Sequence, residues 1–258
     1  TPEVSATDFT CVVFNDLHAN QGTYDFLRDT LQQVGVKPDF IIFNGDCLPE
    51  PYDREHAMRM IHNLADPING AETPIFFIRG NHEIRNYYSA GMHRLIGYPN
   101  DKTYGGISWG DTRFMVLDCG EDKTDDHKEY AGFNDFTQLR AEETEFIKQE
   151  LKSKAFRNAK RKILISHIPI FGNDDKYQPC SEAWAPLLKQ QPFSVAIFAH
   201  THRFKYAPKD LEGATYPVVN GDGPNIKGAA VVVLQKTGNK LRLKTLSKKS
   251  ENCIDIDL

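Results

Sequence analysis

The chain has 258 residues, of which 40% are hydrophobic and 26% charged, and its net charge is −4. That length suffices for a sizeable core, and the composition excludes a disordered chain, a repeat-biased fibre and a membrane protein. The longest apolar runs, such as AAVVVL at 229–234, are far too short to cross a bilayer, and no overall basic field recruits nucleic acid or an anionic membrane.

The first third alternates between two periodicities. FTCVVFN (9–15) reads as a strand ending at Asp16, and TYDFLRDTLQQV (23–34) as a helix with apolar residues at Tyr24, Leu27, Leu31 and Val34. DFIIFN (39–44) is a second strand ending at Gly45-Asp46, REHAMRMIHNLA (54–65) a helix, and PIFFIR (74–79) a third strand ending at Gly80-Asn81-His82-Glu83. Short buried strands separated by helices predict a parallel sheet covered by helices. YGGISWG (104–110) and TRFMVLDCG (112–120) then read as a hairpin around Gly110-Asp111, followed by an acidic, aromatic loop at 121–136 that contains His127. A helix is expected over residues 137–153. KILISH (162–167) and SVAIFAH (194–200) are strands that also stop at polar residues. Asn220-Gly221-Asp222-Gly223 reads as a turn, and ATYPVVNG, GAAVVVLQ and NKLRLKTL as strands; in the last, outward Lys240, Arg242 and Lys244 suit an exposed sheet edge.

No Gly/Ser-rich linker, internal repeat or low-complexity segment divides the chain, so residues 1–258 are expected to form a single domain. Two sheets are required, one fed by the N-terminal βαβ units and one by the later strands. The predicted architecture is α/β, a four-layer αββα sandwich of two mixed sheets flanked by helices. The five cysteines (11, 47, 119, 180 and 253) are scattered with no CxxC pair and read as mainly buried free thiols, with disulfides left open. The sequence starts TPEVSATDFT, without an initiator Met or an apolar leader, which reads as a processed or excised form.

Five strand-like runs end in metal-capable groups: Asp16-Leu17-His18, Gly45-Asp46, Gly80-Asn81-His82-Glu83, Ser166-His167 and His200-Thr201-His202. The carboxyl ends of parallel strands open onto one crevice, so these residues are expected to converge there. Asp16 with His18, and His200 with His202, are two apart, and in extended backbone both members of each pair face one pocket. Carboxylate, imidazole and amide oxygen without thiolate suit Mn, Fe, Zn, Ni or Co, with Mn, Fe or Zn the expected cofactors. Seven candidate ligands (Asp16, His18, Asp46, Asn81, His167, His200 and His202) exceed one tetrahedral site and fit two ions if one carboxylate bridges.

Taken in order, DxH, GD, GNHE, a lone His after an apolar strand and HTH resemble the calcineurin-like metallophosphoesterase superfamily, over residues 16–202. The resemblance implies one metal held by Asp16, His18, Asp46 and His202, and another held by a bridging Asp46 with Asn81, His167 and His200. It implies in-line attack of a metal-bridging hydroxide on a small phosphate ester, either as a phosphomonoesterase or as a phosphodiesterase of the cyclic-nucleotide type. His82 would stabilise the phosphoryl oxygens or protonate the leaving group, Glu83 would orient an imidazole, and His127 is a further candidate for substrate contact. Asn81 and His82 would also meet the substrate.

Ala199 stands where the last motif usually has Gly. Gly45-Asp46-Cys47-Leu48-Pro49 lacks the tyrosine of the purple acid phosphatase GDxxY pattern, although the middle of the chain is similar to that branch. This similarity and the form of the N-terminus suggest a periplasmic or secreted protein. The competing readings are a non-catalytic scaffold, disfavoured by the complete ligand set, and a nuclease, disfavoured by the net charge. The oligomeric state is left open.

Overall fold

Buried β-branched and aromatic residues build the strands of both sheets. The computed structural model describes residues 6–35, 37–85, 88–130, 132–221, 223 and 229–258; Asp222 of the turn expected at 220–223, and Gly228 of the strand expected at 228–235, lie outside them. Strands β1 (Phe9–Phe14), β2 (Phe40–Asn44) and β3 (Ile75–Ile78) run parallel, with Val12 opposite Ile41 and Ile42 opposite Phe76. Helix α1 (Gln21–Val34) crosses from β1 to β2, its first turn capped by the Asn20 side chain accepting from the Thr23 N–H and its end by Gly35 at φ 72°. Helix α2 (Arg54–Ala65) connects β2 to β3 and is capped by Asp53, and the short helix α3 (His93–Ile96) follows β3.

The second sheet begins with the hairpin β4 (Gly105–Trp109) and β5 (Thr112–Leu117). Strands β6 (Arg161–Ser166), β7 (Val195–Phe198) and β9 (Val218–Asn220) continue it in parallel, and β8 (Lys205–Ala207) closes its edge antiparallel. The last strands do not stay with their sequence neighbours. β10 (Ala230–Thr237), β11 (Lys240–Ser247) and β12 (Asp255–Asp257) return to the first sheet, giving the orders β12-β11-β10-β1-β2-β3 and β4-β5-β6-β7-β9-β8. The division of N-terminal against later strands is corrected accordingly. So is the exposed edge at 240–244: β11 is covered by β12, whose Asp255 pairs with Arg242 at 2.5 Å and Lys244 at 3.8 Å.

Three apolar layers follow from this order. Val13, Ile42, Phe114, Ile165 and Ile197 meet between the sheets. Leu27, Ile41 and Leu64 join the α1–α2 layer to the outer face of the first sheet. Ile147 of α4 (Phe136–Glu150) and Trp184 of α6 (Pro179–Leu188) pack on the outer face of the second. The protein is a four-layer αββα sandwich of two mixed sheets, each six-stranded among the described residues. Helix α4 ends at Glu150 rather than 153, because a turn there leads into α5 (Lys154–Asn158), capped by Ser153.

Cys119 and Cys180 form a disulfide across 61 residues, which corrects the free-thiol reading for these two; Cys11 and Cys47 are buried free thiols and Cys253 is an exposed one. The bridge ties the end of β5 to the start of α6. Its replacement by a Cys119→Ser, Cys180→Ser pair is expected to lower unfolding stability by about 2–5 kcal/mol, read as a lower urea midpoint with a larger m-value, because the unfolded chain loses its cross-link and exposes more surface. Among the described residues no helix is long and apolar enough to cross a membrane.

Candidate metal centre

The carboxyl ends of β1, β2 and β3 in one sheet and of β6 and β7 in the other face the same crevice. Asp16 and His18 follow β1, Asp46 follows β2, Asn81 to Glu83 follow β3, His167 follows β6, and His200 and His202 follow β7. Donor atoms of Asp16, His18, Asp46 and His202 lie within 4.8 Å of one another, as do those of Asp46, His167 and His200. Asn81 joins the second group, its Oδ1 3.1 Å from His200 Nδ1. All seven sequence-predicted ligand candidates are thus gathered into two groups that share Asp46.

They converge by a different backbone route from the one expected. Asp16 (φ 48°), His18 (φ 48°), Asp46 (φ 50°), His200 (φ 68°) and His202 (φ 51°) occupy the left-handed region, not extended backbone. Such a conformation costs a non-glycine residue about 1–3 kcal/mol and persists only when the surroundings over-determine it. Here main-chain bonds do so: Asp16 N–H donates to Gly45 O at 3.2 Å, His18 N–H to Asp46 O at 2.9 Å and Ala199 N–H to His167 O at 2.9 Å. The two motif glycines are explained by close approach. A Cβ on Gly45 would lie 2.3 Å from the His167 ring, and one on Gly80 2.3 Å from Asp46 Oδ1.

The site is deeply buried and electrostatically unbalanced. Asp16, Asp46, Asn81 and His167 are all buried. Asp16 Oδ1, His18 Nε2, His82 Nδ1 and His167 Nε2 are buried without a hydrogen-bond partner, which is costly for polar atoms unless something else completes them. Burial alone would lower the His167 pKa. The carboxylates of Asp46, at 3.2 Å, and Asp16 outweigh it and hold the imidazole at about 10. Burial would likewise raise Asp46, but His167 keeps it well below the usual carboxylate range. For His18, burial prevails and lowers the pKa. The neighbouring Asp16 carboxylate raises His202, whose Nε2 lies 3.3 Å from Asp16 Oδ1. Buried carboxylates that draw a proton onto a buried imidazole call for positive charge. With carboxylate, imidazole and amide donors and orphaned ligand atoms, the residues fit divalent cations. Cys47 is not among the donors: its thiol is buried and points to Gly45 O at 3.4 Å.

Glu83 does not orient an imidazole as expected. Its carboxylate accepts four backbone N–H groups, from Asp46 (3.0 Å), Cys47 (2.8 Å), Leu48 (2.9 Å) and Gly80 (2.7 Å), and so locks the loop carrying Asp46. Burial and Asp46 nevertheless raise its pKa to about 7. The His82 ring is partly exposed, belongs to neither donor group and packs edge-on against His18 at 4.8 Å. Burial lowers its pKa, with Arg85, 3.5 Å from its Nε2, adding to the effect. His127 stays on its own loop, with Nδ1 accepting from Glu129 N–H at 3.4 Å and its ring 6.1 Å from Tyr130. From the same loop Asp122 reaches His200 instead, Oδ2 to Nε2 at 3.3 Å. Sequence reasoning missed that residue. Asn173, Asp174 and Asp175, with Arg203, line a cavity of about 310 Å³ beside His200.

The family model for calcineurin-like phosphoesterases matches residues 9–204. Among solved structures, a dimetal phosphatase from Danio rerio superposes with a TM-score of 0.69 at 16% identity, over 96% of this chain and 98% of that one. The purple acid phosphatase PPD1 from yellow lupin (Lupinus luteus) gives 0.67 at 14% identity, over 99% of this chain and 54% of the lupin chain. GAP50, the anchor in the inner membrane complex of Plasmodium, gives 0.62 at 14% identity over 97% of this chain and 88% of that one. At these identities the likenesses speak for the fold. No curated protein sequence matches.

Proposed function

Because the chain belongs to the calcineurin-like phosphoesterase family, we propose that it is a dinuclear phosphoesterase whose single domain hydrolyses a small phosphate monoester. The observation that carries this reading is the pair of donor groups meeting at Asp46. Asp16, His18, Asp46 and His202 would hold one ion, and Asp46, Asn81, His167 and His200 the other, each being manganese, iron or zinc. When bound, two such ions supply Lewis acidity toward phosphoryl oxygens and lower the pKa of water.

The chain's own groups do the rest. Asp46 has two carboxylate oxygens to share, while Glu83 fixes the backbone from which it projects. His82, outside both donor groups and partly exposed, would donate a hydrogen bond to a phosphoryl oxygen or a proton to the leaving alcohol. Two divalent ions set against Asp16 and Asp46 leave a surplus of positive charge, which favours the dianion of a monoester over the monoanion of a diester. Asn81, neutral where a carboxylate would cancel part of that surplus, belongs to the same logic. The Cys119–Cys180 disulfide supports an extracytoplasmic site of action, since such bonds persist in oxidising compartments.

The test is a rate comparison on manganese-loaded protein between p-nitrophenyl phosphate and bis-p-nitrophenyl phosphate. The monoester is expected to turn over at least about tenfold faster, equivalent to ~1.4 kcal/mol of transition-state discrimination. A diester preference would overturn the monoester assignment, and silence toward both with two ions bound would sink the hydrolase reading.

A further inference from the structure

We propose that Asp122 is a positioning residue for His200: its carboxylate accepts the imidazole's Nε2–H and thereby turns Nδ1 toward the ion shared with Asn81. This rests on the two-ion reading above. The two nitrogens of His200 have different surroundings. Nδ1 lies 3.1 Å from Asn81 Oδ1, a spacing at which both atoms can address one cation, and Nε2 lies 3.3 Å from Asp122 Oδ2. An imidazole that donates a lone pair through Nδ1 must carry its proton on Nε2, and that proton needs an acceptor. The neighbouring His167 solves the same problem in the opposite sense, with Nδ1 2.9 Å from Asn44 O and Nε2 left facing Asp46. Each imidazole of this donor group therefore has a carbonyl or carboxylate oxygen close to its outer nitrogen, at 2.9 Å for His167 and 3.3 Å for His200.

Asp122 is held in place independently of His200. Its N–H donates to Glu121 Oε1 at 2.9 Å, Lys123 Nζ lies 3.0 Å from its Oδ1, and Glu121 is itself paired with Arg85 at 3.0 Å. Three residues upstream, Cys119 is bonded to Cys180 at the start of α6. That anchor also serves the segment carrying Asp175, whose Oδ2 is 3.9 Å from the same Nε2. The two carboxylates are unequal: the side chain of Asp175 is 49% exposed and that of Asp122 is 23% exposed. Contact and burial both assign the orienting role to Asp122, with Asp175 adding only a screened field.

Manganese binding to the metal-free protein separates the possibilities, by calorimetric titration with thermal unfolding of each metal-free variant as a fold check. Wild type is expected to bind two ions. Asp122→Ala should weaken one of them by about 10- to 100-fold and leave the other unchanged. Asp122→Asn, which keeps an acceptor oxygen but not the charge, should fall between the two. Asp175→Ala should stay within about threefold of wild type, since a screened surface charge contributes little. If Asp122→Ala lowers the unfolding midpoint of metal-free protein, the isosteric Asn variant carries the comparison. Two ions bound by Asp122→Ala at wild-type affinity would overturn the positioning role while leaving the dinuclear reading intact. An Asp175→Ala loss as large as that of Asp122→Ala would replace positioning by a general field effect. Fewer than two ions in the wild type would remove the premise, and this proposal with it.

Discussion

Asp46→Asn is expected to leave the protein folded and unable to hold its pair of metal ions, with hydrolysis reduced to background. The amide retains one acceptor oxygen for the His82 N–H, which donates to Asp46 Oδ1 at 2.8 Å, so the loop closure survives. It cannot share two anionic oxygens between two cations. Both donor groups pass through this residue, so its loss is felt at both. The effect is measurable without an assay of turnover. A ligand present at 100 times its Kd stabilises the native state by about 2.7 kcal/mol, worth roughly 5–10 °C in a domain of this size. Wild-type protein should show such a manganese-dependent rise in unfolding temperature and Asp46→Asn almost none. A variant that still takes up two ions with an undiminished thermal shift would remove Asp46 from the bridging position.

How much of this site could be read from the sequence depended on whether the signal was local. Apolar runs that stop at Asp16, Asp46, Asn81, His167 and His200 are local facts, and strand topology then brings their ends together whatever lies between. The sign of φ is not local information for Asp or His. The left-handed turns at Asp16, His18, Asp46, His200 and His202 were therefore invisible, although Gly45 and Gly80 hint at close approach. Glu83 illustrates a second limit. An acid beside a histidine suggests a partner ring, yet its four backbone partners exist only once β2 and β3 are side by side. The same holds for Cys119 and Cys180, 61 residues apart with no motif between them, and for β12, whose three residues are too few to form a pattern. Within the acidic loop, nothing in the composition distinguishes Asp122, which reaches His200, from His127, which does not. The fold resolves that choice through Arg85, which grips Glu121 next to Asp122.

His82→Ala should behave in the opposite way to Asp46→Asn: both ions retained, turnover lowered by about 10²–10⁴-fold. The backbone N–H that serves Asp46 is untouched by the substitution, and the ring is absent from both donor groups, so metal affinity has no reason to change. The ring does sit where chemistry would feel its loss, edge-on to His18 and 3.9 Å from Asp46 Oδ2. The dependence on leaving group then separates its two possible roles. If His82 delivers a proton to the departing alcohol, an alkyl phosphate, whose alkoxide is a poor leaving group, should lose far more rate than p-nitrophenyl phosphate, whose phenolate departs without help. If His82 instead stabilises the phosphoryl oxygens, both substrates should lose rate by the same factor, because that charge develops whatever the alcohol. A His82→Ala protein that keeps two ions and full turnover on both substrates would exclude the ring from catalysis. The work would then fall to the ions and the buried cluster that holds them.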